Sequence, residues 1–154
     1  MVYIEGNMSD TNGKIRILLV DDDEMMRIYF RDIFWIHGRS NTYEVIMASS
    51  LVEAEKKLVD PLTVPTTIFL DVMISIPGEN NSSAAQIKRT MDFVERVKKD
   101  PLFSATKIII YSGQKEKSIA DAFKKLGIDG YLIKGELMPK EIIEFTDKLH
   151  GCNN

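Results

Sequence analysis

At 154 residues the chain has the length of a single domain and is long enough to bury a hydrophobic core. Its 44% hydrophobic and 28% charged content excludes a disordered or fibrous chain, and a net charge of −3 offers no electrostatic footprint for nucleic acid. No apolar run approaches the ~20 residues of a membrane span. The first residues lack a basic-then-apolar secretory pattern and the single Cys152 has no internal disulfide partner, so a cytoplasmic setting is expected.

Residues 1–13 are polar and irregular and read as an arm. "KIRILLV" (14–20) is β-branched and leucine-rich, the pattern of a strand covered on both faces. It stops at Asp21-Asp22-Asp23-Glu24, where Met26, Phe30, Ile33 and Phe34 begin a helical stripe and the acids suit the helix's positive end. After a longish connection (36–44), "TYEVIMA" (42–48) predicts a second strand. Ser50 and Glu53 have capping-box spacing before a helix that buries Leu51, Ala54 and Leu58. "TTIFLD" (66–71) predicts a third strand. Beyond a Pro-, Gly-, Asn- and Ser-rich loop, Ala84, Ile87, Met91 and Val94 keep helical spacing until Asp100-Pro101 stops it. "KIIIYSG" (107–113) predicts the fourth strand, followed by a helix through Ile119, Ala122, Phe123 and Leu126 that Gly127 can cap. "GYLIK" (130–134) predicts the fifth strand. A last helix starts near Pro139 and buries Ile142, Phe145 and Leu149, leaving residues 151–154 as a tail.

Five strands alternating with five helices imply an α/β domain over 14–150, a doubly wound parallel sheet with right-handed crossovers. In such sheets the ligand crevice lies beyond the carboxyl ends of the strands. Those ends carry Asp21, Asp22 and Asp23 on strand one, Asp71 on strand three, Tyr111, Ser112 and Gly113 on strand four, and Lys134 on strand five. Crowded carboxylates repel one another, and a divalent cation such as Mg²⁺ relieves that repulsion. With a fixed amine and a hydroxyl alongside, these are the parts of a phosphoryl-transfer site. Taken singly, an acid after a strand is a helix N-cap and a lone Ser or Lys means nothing; the ordered set carries the inference.

On "ILLVDDD", "TIFLDVM", "IIIYSG" and "DGYLIK" the chain resembles the receiver domain of bacterial-type response regulators, across roughly residues 14–150. The resemblance implies a flavodoxin-like receiver fold with strand order 2-1-3-4-5. It implies Asp71 as phosphoacceptor and metal ligand, Asp22 as direct ligand of Mg²⁺ (or Mn²⁺) with Asp21 acting mainly through water, and the Met73 backbone carbonyl as a further ligand. It also implies Ser112 as switch hydroxyl, Lys134 as phosphoryl-contacting cation and Tyr131 as the aromatic that reports the switch. Asp23 is left as a helix cap. The implied donor is a phosphohistidine on a sensor histidine kinase or a histidine phosphotransfer protein. The domain is expected to be a signalling receiver rather than a turnover enzyme, with no nucleic-acid or membrane partner. Only one helix and a tail follow Lys134, so output is expected through contact with a downstream protein target.

Three features depart from the receiver pattern. Pro77-Gly78 is displaced and "ENNSSAAQIKR" lengthens the loop after Asp71; Gly135 stands where a Pro usually follows the Lys; and the connection into strand two is long. They motivate an alternative, a receiver-like interaction module that is not phosphorylated. A rival from another class is a haloacid-dehalogenase-type phosphatase, with Asp21 and Asp23 as its acid pair. That rival needs further acids after the Lys, where the sequence offers Glu136, Glu141 and Glu144, and it leaves Asp71 without a role. His37, Trp35, Met25 and Met26 read as capping, face or core residues.

Overall fold

The structure, a computed structural model, describes residues 13–152, so the expected arm lies outside the described residues except for Gly13. Its elements alternate along the chain: β1 (Ile15–Val20), α1 (Glu24–Ile36), β2 (Tyr43–Ala48), α2 (Leu51–Val59), β3 (Thr67–Leu70), α3 (Ser83–Lys99), β4 (Lys107–Ser112), α4 (Lys117–Lys125), β5 (Gly130–Ile133) and α5 (Pro139–Leu149). A short 3₁₀ turn, Pro101–Phe103, follows α3. All strand pairs are parallel and the sheet order is β2-β1-β3-β4-β5, as the resemblance implied.

Strand side chains alternate between faces, and the two faces build two separate cores. Leu18, Val20, Ile68, Leu70, Ile108 and Ile110 pack under α2, α3 and α4. Ile17, Leu19, Phe69, Ile109 and Tyr111 pack under α1 and α5, where Phe30 stacks against Phe34, Phe69 and Tyr111 at centroid separations of 5.3, 4.9 and 5.7 Å. Burial on both faces explains the unbroken apolar runs of the strands. An added Cβ at Gly130 would lie 2.9 Å from Phe145 Cζ on α5, so a side chain there requires that ring to shift.

Several local expectations need correction. β3 ends at Leu70 and β5 at Ile133, so Asp71 and Lys134 stand one residue beyond their strands. On α3 the buried face is Gln86, Thr90, Phe93, Val94 and Val97; Ala84 is exposed, and Ile87 and Met91 are only half-buried. Gln86 and Thr90 break the apolar stripe because the backbone carbonyls of Asn81 and Val72, in the loop between β3 and α3, accept hydrogen bonds from them. On α5, Phe145 and Leu149 are half-buried while Ile143, Thr146 and Asp147 are buried beside Ile142. The Ser50 hydroxyl caps α2 through the Glu53 amide, but the Glu53 carboxylate accepts from the Ser49 amide at 2.7 Å rather than completing a box on Ser50.

The long connection into β2 has a structural cause. Its Arg39 reaches Asp147 on α5 at 2.5 Å, and the Tyr43 hydroxyl donates to the same carboxylate oxygen at 2.6 Å. Asp147 is 5% exposed, and burial together with this bond pushes the Tyr43 phenol well above its usual range. One helical turn pitch away, His150 Nδ1 lies 3.0 Å from the Thr146 carbonyl and Nε2 lies 2.6 Å from the Thr67 hydroxyl. A carbonyl only accepts, so Nδ1 carries a proton; in the neutral ring Nε2 then accepts from the Thr67 hydroxyl. Burial accordingly lowers the His150 pKa below its usual 6.5.

Two outcomes follow for stability. Asp147→Ala, which leaves Arg39 and Tyr43 without this carboxylate, is expected to cost about 3 kcal/mol in urea unfolding, while Lys148→Ala on the exposed side of the same helix is neutral; a loss for Asp147→Ala no larger than the control refutes the assignment. Unfolded protein protonates His150 near 6.5, whereas the folded ring takes up its proton only at lower pH. The contribution of the neutral ring is therefore complete above that pH and is lost as pH falls below it. Relative to wild type, His150→Gln should flatten the stability profile between about pH 7 and 5, and parallel profiles would exclude this titration.

Candidate functional site

The parallel sheet delivers every strand's carboxyl end to one rim, which brings together residues 21, 22, 71 and 134. Asp21 is 1% exposed and Asp71 7%, while Asp22 faces solvent. One carboxylate oxygen from each of these three acids lies within 4.8 Å of the others. Lys134 Nζ stands 2.5 Å from Asp21 Oδ2 and 2.9 Å from Asp71 Oδ2, bridging the two buried acids. The Lys134 amide donates to the Ser112 carbonyl at 2.9 Å, and its ammonium sits 5.8 Å from the Tyr111 ring centroid.

Each acid is oriented by backbone. The Asp23 amide donates to Asp21 Oδ1 at 2.9 Å, the Met73 amide to Asp71 Oδ1 at 3.2 Å, and the Ser75 amide to Asp22 Oδ2 at 3.0 Å. Burial raises the Asp21 pKa, and the Lys134 bond opposes that rise only in part. Burial also works against the Lys134 ammonium, but the charges of Asp71 and Asp21 outweigh it and hold its pKa above the ordinary value. One ammonium thus faces two buried carboxylates and a third nearby, a donor set of hard oxygens short of positive charge. That chemistry fits Mg²⁺, which favours carboxylates, carbonyls and retained water.

The other expected residues lie on the same rim with different contacts. Ser112 is fully buried, and its Oγ accepts from the Gln114 amide at 3.3 Å. Tyr131 is half-buried and donates to the Gln114 carbonyl at 2.7 Å; burial, then the Asp71 charge, raises its phenol pKa. Met73 is half-buried. Asp23 caps α1 by accepting from the Met25 and Met26 amides, as its reading as a cap required. The acids that the phosphatase rival needs are engaged elsewhere: Glu136 pairs with Lys115, Glu144 with Lys140, and Glu141 accepts from the Met138 amide.

Sequence reasoning missed several residues that shape this site. Arg27 donates to the Asp21 carbonyl at 2.8 Å, Thr90 to the Val72 carbonyl at 2.8 Å, and Gln114 joins Ser112 to Tyr131. Arg27 and Thr90 sit on helices as single polar residues, which periodicity does not distinguish from solvent-facing ones. Gly135 has φ +84°, a left-handed conformation closed to proline, whose ring holds φ near −65°. The chain therefore leaves Lys134 along a path that the usual Pro could not follow.

Lys134→Met tests this charge balance without any ligand. Removing the ammonium is expected to cost about 3 kcal/mol at pH 7.5, because Asp21 and Asp71 are left facing each other in a buried site. Ionised Asp21 already disfavours folding, since its folded pKa is raised, so the deficit should shrink as pH falls and Asp21 protonates. Urea unfolding at pH 7.5 and 5.5 reads this, and a deficit independent of pH would show that the amine is not balancing the acids.

No protein-family model and no curated protein matches the chain. Solved structures do. The chemotaxis response regulator CheY4 of Vibrio cholerae has a TM-score of 0.67 at 20% identity, covering 88% of this chain and 98% of that one. A CheY-like response regulator receiver domain from Methanospirillum hungatei JF-1 has 0.66 at 22%, covering 90% and 95%. The non-phosphorylated HemR receiver domain from Leptospira biflexa has 0.66 at 21%, covering 92% and 98%. With the sheet order and the rim already described, these likenesses establish the architecture: the chain has the fold of response regulator receiver domains.

Proposed function

We propose that the chain is a signalling receiver that takes a phosphoryl group from a phosphohistidine donor onto Asp71. The observation that carries this reading is the bridging of Asp21 and Asp71 by Lys134, with Asp22 completing a cluster of three carboxylates at the sheet rim. In the transfer, an Asp71 carboxylate oxygen attacks phosphorus as the P–N bond breaks, and the imidazole leaves with that electron pair. Asp21, Asp22 and the Met73 carbonyl would hold Mg²⁺, which when bound neutralises charge on the acids and on the phosphoryl oxygens. Lys134 keeps a fixed ammonium beside Asp71 and stabilises the anionic group once it is attached. Water attack on phosphorus then breaks the Asp71 O–P bond and releases inorganic phosphate, which restores the carboxylate, so the domain is its own substrate and not a turnover enzyme.

Output follows from where Ser112 and Tyr131 are tied. Both bond to Gln114, one through its amide and the other through its carbonyl. A phosphoryl oxygen that recruits the Ser112 hydroxyl withdraws it from Gln114, and that displaces the acceptor on which Tyr131 rests. Added charge thereby biases a two-state element. The face built by α4, β5 and α5 presents the change to a protein partner, in keeping with a cytoplasmic signalling role. Among the described residues no helix is long and apolar enough to cross a membrane.

The φ of Gly135 and the lengthened loop favour a second reading, a receiver-fold interaction module without phosphorylation. One experiment separates the two. With acetyl phosphate or phosphoramidate and Mg²⁺, intact mass spectrometry should show wild type gaining one phosphoryl group, with no gain after chelation and none in Asp71→Asn. An unmodified wild type under these conditions rejects phosphotransfer. Catalytic release of phosphate from a phosphomonoester, abolished in Asp21→Asn, would instead favour the phosphatase.

A further inference from the structure

The loop between β3 and α3 departs from the receiver sequence pattern, yet it is one of the most densely hydrogen-bonded parts of the molecule. Asn81 pairs with the backbone of Ile76 in both directions: its Oδ1 accepts from the Ile76 amide at 2.9 Å, and its Nδ2 donates to the Ile76 carbonyl at 2.9 Å. A side-chain amide here takes the place of a neighbouring strand. Arg89, on the second turn of α3, grips the same residue, donating from one guanidinium nitrogen to Asn81 Oδ1 at 2.8 Å and from the other to the Asn80 carbonyl at 2.6 Å. Buried Gln86 donates to the Asn81 carbonyl at 2.7 Å. Next to this clamp, the Ser75 amide donates to Asp22 Oδ2, which fixes the rotation of the solvent-facing acid in the cluster.

We infer that Asn81 and Arg89 are positioning residues of the phosphoacceptor site. They do not touch the reacting atoms. They hold the turn at Ile76, and through it the Ser75 amide, so that Asp22 presents a set orientation to a divalent cation. The added loop length is thus compensated by α3, whose polar residues Gln86 and Arg89 reach back to Asn80 and Asn81 at the far end of the loop while Thr90 reaches Val72 at its start. The inference rests on the proposed cation site, and its test distinguishes failure of that site from failure of the clamp.

The variants are Arg89→Met, Arg89→Lys and Asn81→Ala, with Lys88→Met, an exposed partner of Asp92 on the same helix, as control. Two readouts are taken on the full chain: hydrogen exchange at the Ser75 and Ile76 amides without any ligand, and Mg²⁺ affinity by calorimetric titration. Arg89→Met and Asn81→Ala should exchange faster at both amides and bind Mg²⁺ about 10-fold more weakly, the scale of losing an outer-layer partner. Arg89→Lys, which still reaches one carbonyl but cannot fork to two acceptors, should fall between them and wild type. Lys88→Met should match wild type in both. If either variant fails to fold, Arg89→Lys alone carries the comparison. Unchanged exchange, or wild-type affinity despite faster exchange, overturns the inference while leaving Asp71 as phosphoacceptor intact. Wild type that binds no Mg²⁺ overturns the cation site and the clamp's role together.

Discussion

The structure depends on holding two carboxyl groups, Asp21 and Asp71, almost out of water at the tips of adjacent strands. Taking a charge out of water costs several kcal/mol unless it is paired and hydrogen-bonded. Here the pairing comes from one ammonium, Lys134, shared between both acids, and the hydrogen bonds from the amides of Asp23 and Met73. The compensation is incomplete, as the raised Asp21 pKa shows. Three carboxylates against one ammonium is the charge imbalance on which the proposed cation site rests.

Rigidity makes that shortfall possible. β1 and β3 lie side by side near the middle of the sheet, covered by helices on both faces, so their ends cannot splay to relieve repulsion. The opposite end of the sheet is locked by separate means, with Arg39 and Tyr43 sharing Asp147, and His150 joining α5 to Thr67 on β3. Polar residues thus serve one purpose at both ends. They hold loops and helices against a sheet whose interior is apolar, where dispersion and burial fix distance but not direction.

Most of the architecture was legible from periodicity. Each apolar run, the stripes on α1 and α2, and the acid, hydroxyl or amine that follows a run is set by residues within a few positions of one another, so local pattern reports them one by one. The misreadings on α3 and α5 share a cause. On α3, Gln86 and Thr90 were passed over because a polar residue normally marks the solvent face, and only the carbonyls of Asn81 and Val72 turn that face inward. On α5, Asp147 was passed over for the same reason, its partners being 104 and 108 residues away.

The amino-acid sequence by itself determined that a parallel sheet forms and which chemical groups arrive at its carboxyl rim, because strand length, helix stripes and terminal residues are local properties with a fixed period. Only the tertiary structure decided how those groups meet: that Lys134 bridges Asp21 and Asp71 across 113 and 63 residues, that Ser75 orients Asp22 across 53, and that Gln114 joins Ser112 to Tyr131. Hydrogen bonds between distant residues have no period and need directional geometry, which arises only once the cores on both faces have fixed where each backbone runs.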